Sequence, residues 1–252
     1  MNKIAFITGS TSGFGKALAE KFAWGNHNII IHGRREERLK ELEETLVAKY
    51  GVDVLSLPFD VQNRKAVFEA IDSLPSNWKS IDILVNNAGL ALGRDYFEEA
   101  SIDDWETMID TNVKGVLFVT KAVLPAMISK QAGHIINVGS IAGKEVYEKG
   151  NVYCGSKHAL AAISKSMRID LVRHKIKVTA IHPGAAETEF SKVRFKGNED
   201  LAGKVYEGYH ALTAEDVADV IYFCASLPDH VCINDLELTC TAQPNSFYLF
   251  KG

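Results

Sequence analysis

Short apolar runs rich in β-branched residues alternate along the chain with longer segments whose apolar residues recur every three to four positions. The short runs predict seven strands, near residues 3–8, 28–32, 53–58, 81–86, 133–139, 176–182 and 233–239. The longer segments predict helices near residues 13–25, 36–50, 63–74, 103–129, 152–174 and 214–227. This alternation favours an α/β fold in which helices cover both faces of a parallel sheet.

The strand-like runs at residues 29–31 and 81–85 are apolar on both sides, as strands buried in a parallel sheet must be. No repeat, low-complexity tract or linker divides the chain, so we interpret residues 1–252 as a single domain. The least regular stretch is residues 184–212. A connection of that length is often a lid or binding segment, and we expect a substrate loop there. A merely variable surface loop is the alternative.

The charge balance excludes some classes of partner. Lys and Arg number 28 and Asp and Glu 32, which gives a net charge of −4 and no broad basic stripe. We therefore expect no nucleic-acid binding. Charges interrupt the apolar stretches, as Lys121 does within residues 116–127, and the N-terminus lacks the apolar core of a signal peptide. We therefore expect no membrane partner.

The four cysteines are Cys154, Cys224, Cys232 and Cys240. None forms a Cys-x-x-Cys pair, and no Cys/His spacing is typical of a zinc site. We interpret them as reduced thiols of a cytoplasmic protein and expect no metal.

A glycine-rich turn follows the first predicted strand and opens the first predicted helix. Its glycines are Gly9, Gly13 and Gly15. Such a turn brings backbone close to a pyrophosphate at a helix N-terminus. The spacing is Gly-x-x-x-Gly-x-Gly, and its place in an alternating chain strengthens the interpretation. The predicted dinucleotide-binding residues of this turn are Gly9, Ser10, Thr11, Ser12, Gly13, Phe14 and Gly15.

Arg34 and Arg35 follow the second predicted strand, where an NAD site usually carries an acidic residue for the ribose hydroxyls. Two guanidinium groups suit a 2′-phosphate, through charge-assisted hydrogen bonds. The sequence therefore favours NADP over NAD. The alternative is that both are surface charges preceding the acidic start of a helix, at Glu36 and Glu37.

Tyr153 and Lys157 stand four residues apart, so a helix would place them on one face. Ser140 lies thirteen positions before Tyr153, after an apolar strand-like run. An ammonium about 5 Å from the phenol would lower its pKa by roughly 2 units at an effective dielectric of about 20. The phenol would then suit acid–base catalysis. A lone Tyr-x-x-x-Lys is usually a solvated helix face; the other motifs, in this order, favour chemistry instead.

Together these motifs resemble the short-chain dehydrogenase/reductase family over nearly the whole chain. The resemblance implies a single doubly wound Rossmann domain and a catalytic tetrad of Asn112, Ser140, Tyr153 and Lys157. Within it, Ser140 and Tyr153 would bind the reacting oxygen, Asn112 would hold a water, and Tyr153 and Lys157 would also contact the cofactor. Further cofactor contacts that the resemblance implies are Asp60, Val61, Asn87, Ala88, Gly89, Pro183, Gly184 and Thr188.

The segments at residues 87–93, 104–112, 187–197 and 233–237 are similar to those of bacterial and yeast NADP-dependent 3-hydroxy acid dehydrogenases, which act on serine or allo-threonine. This narrower resemblance implies a small-molecule hydroxy-acid substrate, a homotetramer and a cytoplasmic location. Residues 143–150 depart from it by being more charged.

A small acid needs a fixed cation near Ser140 and Tyr153, and we expect Arg194 to bind its carboxylate. Lys144, Lys192 and Lys196 are the other candidate cations. Alternatively, Arg194 pairs with Glu187, Glu189 or another acid and only orders the loop.

Two other functions compete with a hydroxy-acid dehydrogenase. One is a reductase of 3-oxoacyl thioesters or of another small ketone, such as a cyclic one. The other is an NADP-binding sensor without turnover, which the complete tetrad disfavours.

Overall fold

A computed structural model of the chain describes residues 2–252. Within these residues seven strands form one sheet: β1 (Ile4–Ile7), β2 (Asn28–Gly33), β3 (Val54–Pro58), β4 (Ile83–Asn86), β5 (Gly133–Val138), β6 (Ile176–Pro183) and β7 (Asp235–Leu238). All neighbours pair in parallel, in the order β3-β2-β1-β4-β5-β6-β7. The predicted α/β fold with a seven-stranded parallel sheet is confirmed.

The α-helices of the described residues are α1 (Gly13–Trp24), α2 (Glu36–Tyr50), α3 (Arg64–Asp72), α4 (Ile102–Ile109), α5 (Val116–Lys130), α6 (Asn151–Leu171), α7 (Glu189–Arg194), α8 (Glu199–Lys204) and α9 (Ala214–Ser226). Two differences from the sequence-based prediction concern the site. Residues 184–212, expected to be irregular, contain α7 and α8. The helix predicted at 103–129 is divided into α4 and α5.

The division between α4 and α5 is a π-helical segment, Asp110–Gly115, in which Asn112 is buried. Short π-helical insertions often lie at functional sites. Sequence analysis expected charges such as Lys121 to interrupt this stretch, yet by length and composition the helical run Ile102–Lys130 is long and apolar enough to cross a membrane. Of its most apolar window, 44% is buried. Its buried residues pack against the sheet, as those of a core helix do.

Alternate residues of β1 pack in two different hydrophobic cores, one on each face of the sheet. Ala5 and Ile7 pack in one core with residues of α1, α2 and α9. Ile4 and Phe6 pack in the other with residues of α3 and α5. Successive side chains of a strand point to opposite faces, so a strand covered on both sides must be apolar throughout. The sheet is therefore buried on both faces.

β1 pairs with β2 on one side and with β4 on the other. The chain thus runs outward through β2 and β3, and then returns to continue on the other side of β1. Such a change of direction opens a crevice beyond the carboxyl ends of the strands, and open α/β sheets bind their ligands there.

Two buried histidines make stability depend on pH. Burial lowers the pKa of His32, at the end of β2, to about 4 and that of His134, in β5, to about 3, from an ordinary 6.5. The unfolded chain then binds protons below pH 6.5 that the folded protein does not. Stability is therefore fully present above about pH 6.5 and falls as the pH approaches 4. At about 1.4 kcal/mol per pKa unit, each histidine lowers the free energy of unfolding by roughly 3–5 kcal/mol at acid pH.

Denaturant unfolding between pH 7 and pH 5 tests this expectation. We expect the free energy of unfolding to fall with pH, and the slope to be smaller in His134→Gln. His230→Gln, at an exposed position, is the matched control and should keep the parental slope. Equal slopes in His134→Gln and the parent would contradict the assignment.

Candidate active site

A cleft of about 680 Å³ lies at the carboxyl ends of the strands. The predicted site residues that line it are Gly9, Thr11, Ser12, Gly13, Phe14, Arg34, Arg35, Asp60, Val61, Asn87, Ala88, Gly89, Ser140, Tyr153, Lys157, Pro183, Gly184, Thr188 and Arg194. Ser10, Gly15 and Asn112 are buried beneath it. Segments that are far apart in the sequence are thus brought to one crevice by the ends of six strands.

The glycine turn joins β1 to α1. Gly9 and Gly13 adopt left-handed backbone, with φ of +70° and +50°. A Cβ on Gly15 would lie 2.0 Å from the Gly9 carbonyl oxygen, so only glycine permits this approach. The turn therefore presents bare backbone to the cleft at the N-terminus of α1, where an anion is favoured.

Residues 87–89, which follow β4, lie against this turn. The Asn87 side-chain amide donates to the carbonyl oxygens of Thr8, at 2.8 Å, and Gly9, at 3.2 Å. The Thr8 hydroxyl oxygen accepts from the amides of Asn87 and Ala88, at 3.0 and 2.9 Å. These bonds tie β1 to β4 at the point where the order of the strands reverses.

Arg34 and Arg35 stand at one end of the cleft. An Nη1 of Arg34 lies 3.5 Å from the Asp60 carboxylate. Arg35 donates to the hydroxyl oxygens of Thr11, at 2.7 Å, and Ser12, at 3.3 Å. Neither forms an ion pair with Glu36 or Glu37 among residues 2–252, so both guanidinium groups belong to the wall of the cleft.

Arg38 and Glu189 are two residues of this region that sequence analysis missed. Arg38 donates to both carboxylate oxygens of Glu189, each at 3.1 Å, and Arg35 lies 3.5 Å from the same carboxylate. The pairing links α2 to α7 across 151 positions. No local pattern in the sequence predicts this ion pair.

Ser140 follows β5 and caps a 3-10 turn, Ile141–Gly143, in which its hydroxyl accepts from the Ala142 amide at 3.1 Å. His182, at the end of β6, supports the same position, with its Nδ1 3.1 Å from the Ser140 carbonyl oxygen. The hydroxyl accepts in this contact, and its own hydrogen can be donated into the cleft, where Ser140 hydrogen-bonds Tyr153.

Tyr153 and Lys157 lie on one face of α6, as their spacing predicts, and both are buried. The Lys157 ammonium is 6.0 Å from the centre of the Tyr153 ring and donates to the Val138 carbonyl oxygen at 3.0 Å. Two of its three hydrogens remain for other partners. The ring of Phe190, from α7, packs 5.8 Å from that of Tyr153.

The structure contradicts the expected lowering of the Tyr153 pKa by Lys157. Burial raises the pKa of Tyr153 above its ordinary value, as does nearby Tyr147, while hydrogen bonding with Ser140 and the charge of Arg194 lower it in part. Burial also lowers the pKa of Lys157 to about 8. Desolvation outweighs the ammonium because both groups are enclosed. At neutral pH Tyr153 is therefore a proton donor.

Asn112 lies in the π-helical segment and packs against the Tyr153–Lys157 helix. Its side-chain amide donates to the Leu90 carbonyl oxygen at 2.8 Å and to the Ser156 hydroxyl at 3.0 Å. Its Oδ1 accepts from the Leu90 amide at 2.9 Å. A Cβ on Gly89 would lie 3.2 Å from that Oδ1 and 3.5 Å from the Lys157 ammonium, so both groups adjoin Gly89.

Pro183 ends β6, and the chain then crosses the mouth of the cleft. The Ala185 amide donates to the Gln243 side chain at 2.7 Å, while a Cβ on Gly184 would lie 2.4 Å from the same Gln243 oxygen. Thr188 caps α7 and lies opposite Gly13 of the turn. Residues 183–188 thus face the glycine turn.

Arg194 ends α7 and faces the end of the cleft that holds Tyr153. Its Nε donates to the Gly93 carbonyl oxygen at 3.1 Å and its Nη1 to the Tyr147 hydroxyl at 3.0 Å. Its guanidinium carbon is 5.5 Å from the centre of the Tyr153 ring. Arg194 forms no ion pair with a carboxylate in the described chain, so the predicted alternative of pairing with Glu187 or Glu189 does not occur.

The three alternative cations are engaged elsewhere. Lys144 pairs with Asp235, Lys192 with Glu199 and Lys196 with Asp104. Tyr147, which sequence analysis did not single out, is the residue of the divergent segment 143–150 that reaches Arg194. The acids and lysines around it in the sequence gave no signal that this tyrosine would turn towards the cleft.

The chemistry of this donor set fits a dinucleotide phosphate. The cleft runs from two guanidinium groups, past the backbone of a turn that a Cβ would obstruct, to a serine, a tyrosine and a lysine. Arg34 and Arg35 would hold a 2′-phosphate, and the amides at the start of α1 would meet the pyrophosphate. Lys157 would meet the ribose next to the reacting ring.

Comparisons with known proteins agree with this arrangement. The short chain dehydrogenase family profile matches residues 3–199. The NADP-dependent 3-hydroxy acid dehydrogenase YdfG of Salmonella typhimurium is 48% identical over 241 residues, covering 95% of this chain and 96% of that protein. Sulfoacetaldehyde reductase 2 of Chromohalobacter salexigens is 45% identical over 244 residues, 96% of each chain. The closed form of serine dehydrogenase complexed with NADP+ matches with a TM-score of 0.93 at 46% identity, over 96% of this chain and 97% of that one. The chain therefore belongs to the short chain dehydrogenase family.

Proposed function

We propose that this protein is an NADP-dependent oxidoreductase that transfers hydride between NADP(H) and a small 3-hydroxy acid of the serine, allo-threonine or 3-hydroxypropionate type. The observation that carries the substrate class is Arg194, a partly buried cation beside Tyr153 without a carboxylate partner in the described chain. A partly buried guanidinium without a carboxylate partner suits the binding of an anionic substrate. The names of the 48% identical dehydrogenase and of the serine dehydrogenase with TM-score 0.93 support the same class.

The cofactor supplies or accepts the hydride, and the chain supplies position and proton transfer. In reduction, Tyr153 donates its phenolic proton to the carbonyl oxygen, to which Ser140 donates a hydrogen bond. Lys157 holds positive charge next to the phenol. Asn112 ties α6, which carries both groups, to Leu90 after β4 through its hydrogen bonds to Ser156 and Leu90. In oxidation, the Tyr153 phenolate left by that transfer receives the proton of the substrate hydroxyl.

A panel of steady-state assays tests the proposed function. NADP+ reduction is measured with serine, allo-threonine, 3-hydroxypropionate and 3-hydroxyisobutyrate. We expect turnover with at least one of these acids. Reduction of a 3-oxoacyl thioester without turnover of any acid would contradict the proposal, and binding of NADPH without any turnover would favour a sensor.

A sulfonate in place of the carboxylate is the second candidate. The relative from Chromohalobacter salexigens, at 45% identity, is named as a sulfoacetaldehyde reductase. A sulfonate is also a fixed anion whose oxygens accept hydrogen bonds from a guanidinium. Assays with sulfoacetaldehyde and NADPH are run beside those with the hydroxy acids. The substrate class with the larger kcat/KM is then the preferred one.

Replacement of Arg194 by Ala should separate acidic from neutral substrates. Loss of one or two charge-assisted hydrogen bonds costs roughly 1.5–3 kcal/mol, so kcat/KM for a hydroxy acid should fall by about 10- to 100-fold. Its methyl ester, without the charge, should lose little. Lys192→Ala removes a neighbouring cation of α7 that pairs with Glu199, and it is the matched control. An equal fall for acid and ester would mean that Arg194 only orders the loop.

We further propose a cytoplasmic homotetramer, from the family resemblance. Exposed apolar side chains support the assembly, among them Ile102, Leu117 and Ile169 on the helices and Phe247 and Phe250 in the C-terminal tail. Light scattering should give four times the 27.7 kDa mass of one chain. A mass near that of one chain at micromolar concentration would contradict the tetramer.

A further inference from the structure

His32 is almost completely buried at the end of β2, between the ends of β1 and β3. The Gly9 amide donates to its Nδ1 at 3.1 Å, and its Nε2 lies 3.1 Å from the Phe59 carbonyl oxygen. An amide nitrogen can only donate and a carbonyl oxygen can only accept. The two contacts therefore fix one neutral tautomer, with Nδ1 as acceptor and the hydrogen on Nε2.

The backbone of His32 binds the same turn. The Ser10 amide donates to the His32 carbonyl oxygen at 2.7 Å, and the His32 amide donates to the Ser10 hydroxyl at 3.3 Å. One residue thus makes three hydrogen bonds to the first two positions of the cofactor turn. On the opposite side, the Asn87 side-chain amide donates to the Gly9 carbonyl oxygen.

The Gly9 peptide is therefore clamped from both sides. The backbone of Gly9 is left-handed, and a Cβ on Gly9 would lie 3.0 Å from the Ala88 Cα. The Gly9 amide donates to His32 and is not available to a ligand. The pyrophosphate must therefore accept hydrogen bonds from amides later in the turn. The direction of those amides depends on the conformation of Gly9.

We propose that His32 is a positioning residue for cofactor binding, which acts through Gly9 to hold the turn in the shape that receives the pyrophosphate. The proposal rests on the proposed use of NADP(H). It predicts that the loss of the Nδ1 acceptor weakens binding of NADPH and NADH alike, because both cofactors contain the pyrophosphate.

The charge state of the ring agrees with this role. Burial lowers the pKa of His32 to about 4, a direction that Arg34 reinforces and that the Phe59 carbonyl and Asp60 oppose. The ring is therefore neutral at physiological pH, and its Nδ1 is available as an acceptor.

The test compares His32→Leu with His32→Asn. The Asn side-chain oxygen occupies nearly the place of Nδ1 and can accept from Gly9, while Leu has the same shape without an acceptor. Dissociation constants of NADPH and NADH are measured by fluorescence titration. Circular dichroism measures the folded fraction of each variant. A Gly9 amide that has lost its acceptor lets the free turn relax out of the shape that receives the pyrophosphate, so His32→Leu should raise both constants by about tenfold or more.

His32→Asn should recover most of that loss. His134→Leu, which removes a buried histidine remote from the cleft, should lower stability without changing either constant. Parental binding by folded His32→Leu, or an equal loss in the Leu and Asn variants, would overturn the proposal.

A second measurement needs no variant. The 15N shifts of the His32 ring in histidine-labelled protein should show an unprotonated Nδ1 and a protonated Nε2 at neutral pH. The opposite tautomer would overturn the proposal even if a variant failed to fold. Failure of the parent to bind either cofactor would instead contradict the proposed function, and the ring shifts would still report the contact with Gly9.

Discussion

Tyr153→Phe should lower kcat for hydride transfer by about 10²–10⁴-fold, the usual contribution of general acid–base catalysis. The substitution removes the phenolic hydroxyl and keeps the ring, which packs against Phe190 and faces Arg194. Burial raises the pKa of this phenol and keeps it protonated at neutral pH. In the direction of reduction, the variant therefore has no proton to give to the carbonyl oxygen.

Binding measurements separate lost chemistry from lost structure. The NADPH dissociation constant of Tyr153→Phe should stay close to the parental value, because the ring and Lys157 remain in place. Tyr222→Phe, a tyrosine of α9 packed against Phe22 and outside the cleft, is the matched control and should keep the parental kcat. Parental turnover by Tyr153→Phe would remove the phenol from the mechanism.

Replacing both Arg34 and Arg35 by Ala should reverse or abolish the preference for NADP over NAD. Each lost charge-assisted hydrogen bond to a 2′-phosphate costs roughly 1.5–3 kcal/mol. Both side chains are partly exposed, so we take the lower end for the pair, and kcat/KM with NADP should fall by about 10²-fold. The value with NAD, which has no 2′-phosphate, should change little.

Arg173→Ala is the matched control for this experiment. Arg173 carries the same charge at an exposed position in the turn after α6 and does not line the cleft. Its removal should leave the ratio of kcat/KM for the two cofactors almost unchanged. The parental protein must itself prefer NADP; equal kcat/KM for NADP and NAD would contradict the assignment of Arg34 and Arg35.

Features that depend on local geometry could be predicted from the sequence. Strands buried on both faces are apolar along most of their length, so β1, β2 and β4 were recognisable from short apolar runs. A helix turns once in 3.6 residues, so the spacing of Tyr153 and Lys157 placed both on one face of α6. A left-handed turn against a helix N-terminus needs glycine, so Gly9 and Gly13 marked the cofactor turn.

Which distant groups meet, and how deeply they are buried, depends on the tertiary packing of the whole chain. Arg194 contacts Tyr147 and Gly93, while Glu189 contacts Arg38, and no periodicity in the sequence encodes those distances. The π-helical segment that buries Asn112 interrupts a pattern that predicts one continuous helix. The pKa of Tyr153 rises where the sequence predicted a fall, because desolvation depends on everything packed around the phenol and not on the lysine one turn away.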